Sequence, residues 1–135
     1  MTDDSLLPDD WKTLVEHSRA ARARAWAPYS RFQVGAVIRN ADGRLFTGCN
    51  VENASYGLTI CAERVAMSTA VAAGATEPTV ICVSLSGQPT PCGSCRQFLH
   101  EFNPKLLFLL DDCESTDPPP SVTLDALLPR AFHFD

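Results

Sequence analysis

Apolar runs of strand length alternate with segments of helical periodicity, and this alternation restricts the fold more than any other feature of the chain. The runs FQVGAVIR, TVICVSL and KLLFLLDD predict buried strands. Helices are predicted from Pro8 to about residues 25–27, over residues 61–74 and over GSCRQFLHEF. NADG predicts a hairpin turn into RLFTGCN, and a late SVTL strand precedes a helical turn at LDALLP. The order α-β-β-α-β-α-β-β-α predicts an α/β layered domain with parallel pairs in its sheet.

The length and the charge of the chain limit its function. A length of 135 residues predicts one domain spanning residues 1–135. Eleven basic and sixteen acidic residues give a net charge of −5, which argues against a nucleic-acid partner. No apolar stretch approaches about 18 residues, and the start MTDDSLLPDD is acidic and lacks the apolar region of a signal peptide. We therefore expect a cytoplasmic protein with no membrane partner and with reduced cysteines.

Three of the six cysteines lie at predicted helix starts. Cys61 comes two residues before Glu63, and Cys92 and Cys95 form a C-x-x-C motif. Such a motif grips one metal ion or forms a redox pair. With a lone third cysteine it leaves a four-coordinate zinc one open position, which is typical of a catalytic zinc rather than a structural one. The other three cysteines are predicted to be structural; they are Cys49, Cys82 and Cys113.

Glu63 acquires a chemical role beside such a metal. Positions two apart lie on nearly opposite sides of a regular helix, so Cys61 and Glu63 face one site only if Cys61 lies at the edge of the first turn. A carboxylate there can take a proton from a water acidified by zinc and pass it on. Arg64 is placed to donate a hydrogen bond to a ligand sulfur and offset the thiolate charge. An ordinary first-turn acid and a surface arginine remain the alternatives here.

These motifs resemble those of the homotetrameric zinc-dependent cytidine deaminases. The zinc deaminase pattern is a His or Cys, any residue and Glu, followed by P-C-x-x-C, and this chain contains CAE at 61–63 and PCGSC at 91–95. PYSRFQVGA, GCNVENASY and CAER are similar to the same family, in the same order. The resemblance implies a three-layer α/β fold, with about five strands in a mixed sheet and helices on both faces. It also implies one Zn²⁺ per subunit on Cys61, Cys92 and Cys95, catalysis by Glu63, and deamination of cytidine and 2′-deoxycytidine in pyrimidine salvage.

The resemblance implies substrate contacts as well. Asn50 and Glu52 match a pair that binds the ribose 3′-hydroxyl, and Phe32 matches an aromatic residue that packs on the pyrimidine ring. The backbone N–H of Ala62 matches a donor to the 2-oxo group. Phe132, with Phe134 as the alternative, matches an aromatic side chain inserted into the site of a neighbouring subunit of a homotetramer. The apolar helix over 61–74 is expected in the core or in a subunit interface.

Three other functions stay open from the sequence. A non-catalytic zinc module would need a fourth protein ligand and would not depend on Glu63. A deaminase of a modified cytidine, a nucleobase or an aminonucleoside antibiotic would keep the chemistry and change the substrate, although the N-x-E segment favours a ribose. An editor of polynucleotides is disfavoured by the net charge of −5.

Overall fold

The order of helices and strands is the predicted one. The computed structural model describes residues 6–134. Its helices are α1 (Trp11–Arg22), α2 (Ala62–Ala72), α3 (Gly93–His100) and α4 (Leu124–Leu127), and a short 3-10 turn covers Tyr56–Leu58. Its strands are β1 (Gly35–Asn40), β2 (Leu45–Cys49), β3 (Pro78–Leu85), β4 (Leu107–Asp112) and β5 (Ser121–Thr123). Within this part of the chain, no helix has the length and apolar character needed to cross a membrane.

The strands form one mixed sheet, as the family resemblance implies, with one parallel pair where the alternation of strands and helices predicts several. Their spatial order is β2-β1-β3-β4-β5. The β1–β2, β1–β3 and β4–β5 pairs are antiparallel, and β3 and β4 are parallel. A parallel pair needs a crossover connection, which α3 provides. The loop of residues 86–92 joins the end of the central strand β3 to the start of α3.

Helices cover both faces of the sheet. Side chains alternate between the faces along β1, so Ala36 and Ile38 enter one apolar cluster and Val37 enters another. Leu14 and Val15 of α1 pack on the Val37 face. The larger cluster on the opposite face includes apolar residues of α2, α3 and α4. The predicted three-layer arrangement is thus confirmed, and the starts of α2 and α3 share one layer.

Two predicted boundaries in the segment that joins α1 to β1 are wrong. Helix α1 ends at Arg22 instead of residues 25–27, and β1 begins at Gly35 instead of Phe32. Trp26 instead pairs with the chain after β2: its N–H donates to the Asn50 carbonyl at 3.0 Å, and its carbonyl accepts from the Glu52 N–H at 2.8 Å. Continuing the helix would remove this pairing, so tertiary contacts override local propensity here.

Gly48 allows α2 to lie directly against β2. A Cβ atom at this position would lie 2.7 Å from the Ala62 carbonyl oxygen and would also overlap the backbone nitrogen of Ala66. Both atoms belong to the backbone, which cannot rotate away as a flexible side chain can. The absence of a side chain at Gly48 therefore fixes how closely the first turns of α2 approach the sheet.

We expect Gly48→Ala to lower the free energy of unfolding by about 1–3 kcal/mol, because the added methyl group must push α2 away from β2. Urea unfolding followed by circular dichroism measures the change. Gly57→Ala is the matched control, since a Cβ at Gly57 meets no atom within 4 Å. Equal stability of the two variants would contradict the close-packing argument.

Candidate metal centre and catalytic cavity

Two helix starts bring the three motif cysteines together. Cys61 is the N-cap of α2 and Cys92 is the N-cap of α3, and both have extended backbones outside their helices. Cys95 lies in the first turn of α3, and its N–H donates to the Cys92 sulfur at 3.4 Å. The Cys61 and Cys92 sulfurs are 3.8 Å apart, and the Cys92 and Cys95 sulfurs 3.4 Å apart. All three sulfurs lie within 4.8 Å of one another.

This cluster has the dimensions of a zinc site. Tetrahedral zinc with sulfurs at about 2.3 Å separates neighbouring sulfurs by about 3.8 Å. Among residues 6–134, no histidine, acidic residue or further cysteine joins the three sulfurs within 4.8 Å. A structural zinc usually has four protein ligands, whereas three leave a position for water or substrate. The donor set therefore fits one zinc ion with an open position.

The pKa values of two of the thiols are shifted in opposite directions. Hydrogen bonds from Cys95, together with Arg64 and Cys92, lower the pKa of Cys61 to about 5 against the opposing effect of burial. The pKa of Cys95 is raised by its hydrogen bond to Cys61 and by burial. Cys61 is thus the thiolate that the other two thiols support. Metal binding requires deprotonated thiols, and two helix N-termini favour that state.

Arg64 supplies positive charge beside the sulfurs. Its Nη2 donates to the Cys61 sulfur at 3.8 Å and to the Thr59 carbonyl at 3.4 Å. The hydrogen bond to Cys61 raises the pKa of Arg64. Its Nε is buried and meets no hydrogen-bond acceptor among the described residues. The guanidinium therefore lies beside the Cys61 sulfur, where negative charge would gather if the three thiols were ionised.

Glu63 is a buried carboxyl group beside the cysteines. It lies in the first turn of α2, and its exposed fraction is 5%. Because Cys61 precedes the helix, Glu63 and Cys61 line the same cavity, together with Ala62 and Cys92. Burial is the main reason that the pKa of Glu63 is raised to about 7. A carboxyl group with a pKa near neutrality can both accept and release a proton at physiological pH.

Two cavities meet at Thr59. The cysteine cavity has a volume of about 210 Å³, and the second, of about 390 Å³, contains Tyr29, Ser30 and Glu52. Thr59 lines both, so the cavities adjoin. The sequence does not assign the other walls of the cysteine cavity to the site. Val34 lies within the segment PYSRFQVGA without a predicted role, and no motif marks Val83, Leu85 or Thr90.

The predicted substrate contacts are placed in different ways. Asn50 lines the cysteine cavity and Glu52 lines the adjoining one. Phe32 is 46% exposed and lines neither cavity. Phe132 is 69% exposed, and its carbonyl accepts a hydrogen bond from Gln97 of α3 at 2.9 Å. The described chain thus does not bring Phe132 into its own cysteine cavity.

The remaining cysteines lie outside the cluster. Cys82 is fully buried in β3, where burial raises its pKa to about 12 and Ser18 lies within hydrogen-bonding distance at 3.3 Å. Cys49 and Cys113 are partly buried. Neither joins the three sulfurs. Cys49, Cys82 and Cys113 therefore lie outside the metal-binding cluster, as their predicted positions on strands and in a loop indicate.

The fold and the cluster define an α/β protein with a three-thiol metal centre at the N-termini of two helices. Residues 9–110 match the family model for the cytidine and deoxycytidylate deaminase zinc-binding region. The chain belongs to this family, and its cofactor is zinc. The sheet and helices also match the crystal structure of cytidine deaminase from Burkholderia pseudomallei, with a TM-score of 0.84 and 44% identity over 90% of this chain and 98% of that one.

Similarity to individual relatives extends over nearly the whole chain. Cytidine deaminase of Mycobacterium tuberculosis (strain CDC 1551 / Oshkosh) is 44% identical over 132 residues, which cover 96% of this chain and 95% of the relative. Cytidine deaminase of Sporosarcina psychrophila is 39% identical over 130 residues, which cover 91% of each. The similarity therefore includes the segments before and after the zinc motif.

We expect Cys92→Ser to reduce bound zinc from about one ion per chain to a small fraction, because two thiolates and a hydroxyl hold zinc far less well than three thiolates. Mass-spectrometric metal analysis of the dialysed protein measures this content. Cys113→Ser is the control, since Cys113 lies outside the cluster and should leave zinc unchanged. Full zinc in Cys92→Ser would show that the metal binds elsewhere.

Proposed function

We propose that this protein catalyses the hydrolytic deamination of cytidine and 2′-deoxycytidine to uridine and 2′-deoxyuridine, with release of ammonia. The main support is that the thiols of Cys61 and Cys92 and the carboxyl group of Glu63 line one cavity. This arrangement places a zinc site with an open position beside a group able to carry protons. Further support comes from the cytidine deaminases that are 39% and 44% identical to this chain.

The proton transfers belong to Glu63 in this proposal. When bound, zinc supplies the Lewis acidity that makes a water nucleophilic near neutral pH. Glu63 accepts a proton from the attacking water and delivers it to ring N3, while the water oxygen adds to C4. Protonation of N3 withdraws electron density from C4 and neutralises the charge that would build up on N3 as the oxygen adds, so C4 becomes a better electrophile. A second proton, from the hydroxyl group now on C4, passes through Glu63 to the amino group. The C4–N bond then breaks, ammonia leaves and the C4 carbonyl of the product forms.

Other residues orient the nucleoside. The N–H of Ala62 is in the first turn of α2, where backbone donors lack intrahelical acceptors, and we assign it to the 2-oxo group. Asn50 and Glu52 are assigned to the ribose 3′-hydroxyl, and the Phe32 ring to the pyrimidine. These contacts would hold C4 near the metal, so that binding of the sugar contributes to the orientation of the reacting atoms. Arg64 is assigned to charge balance at the thiolates.

We also propose that the chain is a single domain that acts as a cytoplasmic homotetramer in pyrimidine nucleoside salvage. Support for the assembly comes from exposed apolar surface: Val71 on the outer side of α2 is 41% exposed, and Phe132 is 69% exposed. In this arrangement Phe132 of one subunit completes the cavity of another. The cysteine cavity has a volume of only about 210 Å³, which agrees with a site that a neighbouring subunit completes.

Multi-angle light scattering after size exclusion is expected to give four times the chain mass of 14.7 kDa at micromolar concentration. Phe132→Ala should raise the KM for cytidine while the mass stays that of four chains, because it removes an apolar contact to substrate. A monomer with full activity would contradict both the assembly and the role of Phe132.

We expect Glu63→Gln to keep its zinc and to lose turnover of cytidine by about 10²–10⁴-fold, because an amide cannot carry the two protons. The fall in ultraviolet absorbance as cytidine becomes uridine measures turnover. Glu77→Gln is the control, since Glu77 is exposed and lines none of the cavities around the cysteines. Full activity of zinc-loaded Glu63→Gln would exclude the proton-carrier role. Turnover of a nucleobase or a modified cytidine in place of cytidine would move the assignment to another substrate.

A further inference from the structure

The loop of residues 28–34 is held by the two polar side chains of the N-V-E segment. Oε1 of Glu52 accepts hydrogen bonds from the N–H groups of Tyr29 at 3.0 Å and Ser30 at 3.1 Å. Asn50 accepts from the N–H of Val34 at 2.9 Å and donates to the carbonyl of Phe32 at 2.8 Å. The residues proposed to bind the sugar are therefore also the residues that shape this loop.

The hydroxyl group of Ser30 connects the carboxylate of Glu52 to the backbone of Phe32. It donates to Oε2 of Glu52 and accepts the N–H of Phe32 at 3.0 Å. Arg31 lies between Ser30 and Phe32 and has a φ of 60°. This is the left-handed region, which costs a residue with a side chain about 1 kcal/mol. Such a conformation persists where surrounding bonds impose it. The two hydrogen bonds of the Ser30 hydroxyl are among the bonds that impose this conformation on Arg31.

Both side chains retain capacity for a ligand. A carboxylate offers about four acceptor directions, and three of those on Glu52 are used by Tyr29 and Ser30 within the described chain. Asn50 has a second amide hydrogen and a second oxygen lone pair beyond its bonds to Phe32 and Val34. A sugar hydroxyl can therefore bind to this pair without breaking the bonds that hold the loop.

We propose that Ser30 is a positioning residue whose hydroxyl couples Glu52 to Phe32, so that recognition of the sugar and recognition of the ring form one preorganised unit. The inference rests on the proposed function, which assigns Glu52 to the ribose and Phe32 to the pyrimidine. Because the loop is already ordered by Asn50 and Glu52, its conformational entropy is lost in folding and not in substrate binding. Ser30 itself touches no reacting atom.

The first test separates substrate binding from turnover. Ser30→Ala is expected to raise the KM for cytidine about tenfold, the effect of one hydrogen bond to a charged group, with kcat changed less than about twofold. Ser30→Thr keeps a hydroxyl and should restore most of the KM. Ser86→Ala is the matched control: its hydroxyl donates to exposed Glu114 at 3.0 Å, and neither residue lines the two cavities. An unchanged KM in Ser30→Ala, or no rescue by Ser30→Thr, overturns the inference.

The second test asks whether Ser30 acts through Phe32. If it does, the double variant Ser30→Ala/Phe32→Leu raises KM by less than the product of the two single effects. Effects that multiply would show that the residues act independently and would overturn the coupling. A wild-type protein that does not turn over cytidine is a different outcome, since it overturns the proposed function and with it the substrate role of Ser30.

A third measurement reads the loop without activity. Trypsin cleaves after arginine, and Arg31 is exposed. Cleavage after Arg31 is expected to be severalfold faster in Ser30→Ala than in the wild type, because loss of the hydroxyl removes two of the hydrogen bonds that hold the loop. It is expected to stay near the wild-type rate in Ser30→Thr and Ser86→Ala. Equal cleavage rates in all four proteins would overturn the role of Ser30 in holding the loop.

Discussion

The convergence of two helix N-termini on one point is the constraint on which the site depends. Cys61 and Cys92 each cap a helix, and both helices belong to the same layer over the sheet. Backbone N–H groups and helix dipoles at both starts favour negative charge, so three thiolates can gather there. Arg96 fixes the second start by donating to the carbonyls of Pro91 at 2.9 Å and Leu127 at 2.6 Å. The last helix of the described chain thereby braces the metal-binding turn.

Two carboxyl groups in the adjoining cavities, those of Glu63 and Glu52, have opposite electrostatic environments. Burial raises the pKa of Glu63, whereas hydrogen bonds from Ser30 and Tyr29, with the Ser30 hydroxyl the largest contribution, lower the pKa of Glu52. A group that titrates near neutrality suits the transfer of protons, and a group that stays ionised suits a fixed acceptor. The surroundings of Glu63 therefore suit it to the proposed proton transfer, and those of Glu52 suit it to the proposed binding of the sugar.

The sequence predicts what depends on local pattern and spacing, and misses what depends on distant contacts. Strand runs, helical periodicity and the C-x-E and C-x-x-C spacings are local, so the order of elements and the gathering of the cysteines are predicted. The helix through residues 25–27 is not observed because Trp26 pairs with the chain beyond β2. The strand from Phe32 is not observed because Asn50 binds that backbone. A left-handed arginine at Arg31 opposes local propensity, so sequence pattern gives no sign of it.

The positions of the metal-binding cysteines along the chain have a thermodynamic consequence. Cys61 and Cys92 are separated by 31 positions, and the segment between them contains α2 and β3, which form much of the larger apolar cluster. An ion bound by both residues closes this segment into a ring, as a disulfide would, and so restricts the unfolded chain. A zinc ion at this site would therefore also act as a cross-link. The tighter it binds the folded chain, the larger the free energy of unfolding of the segment that it closes.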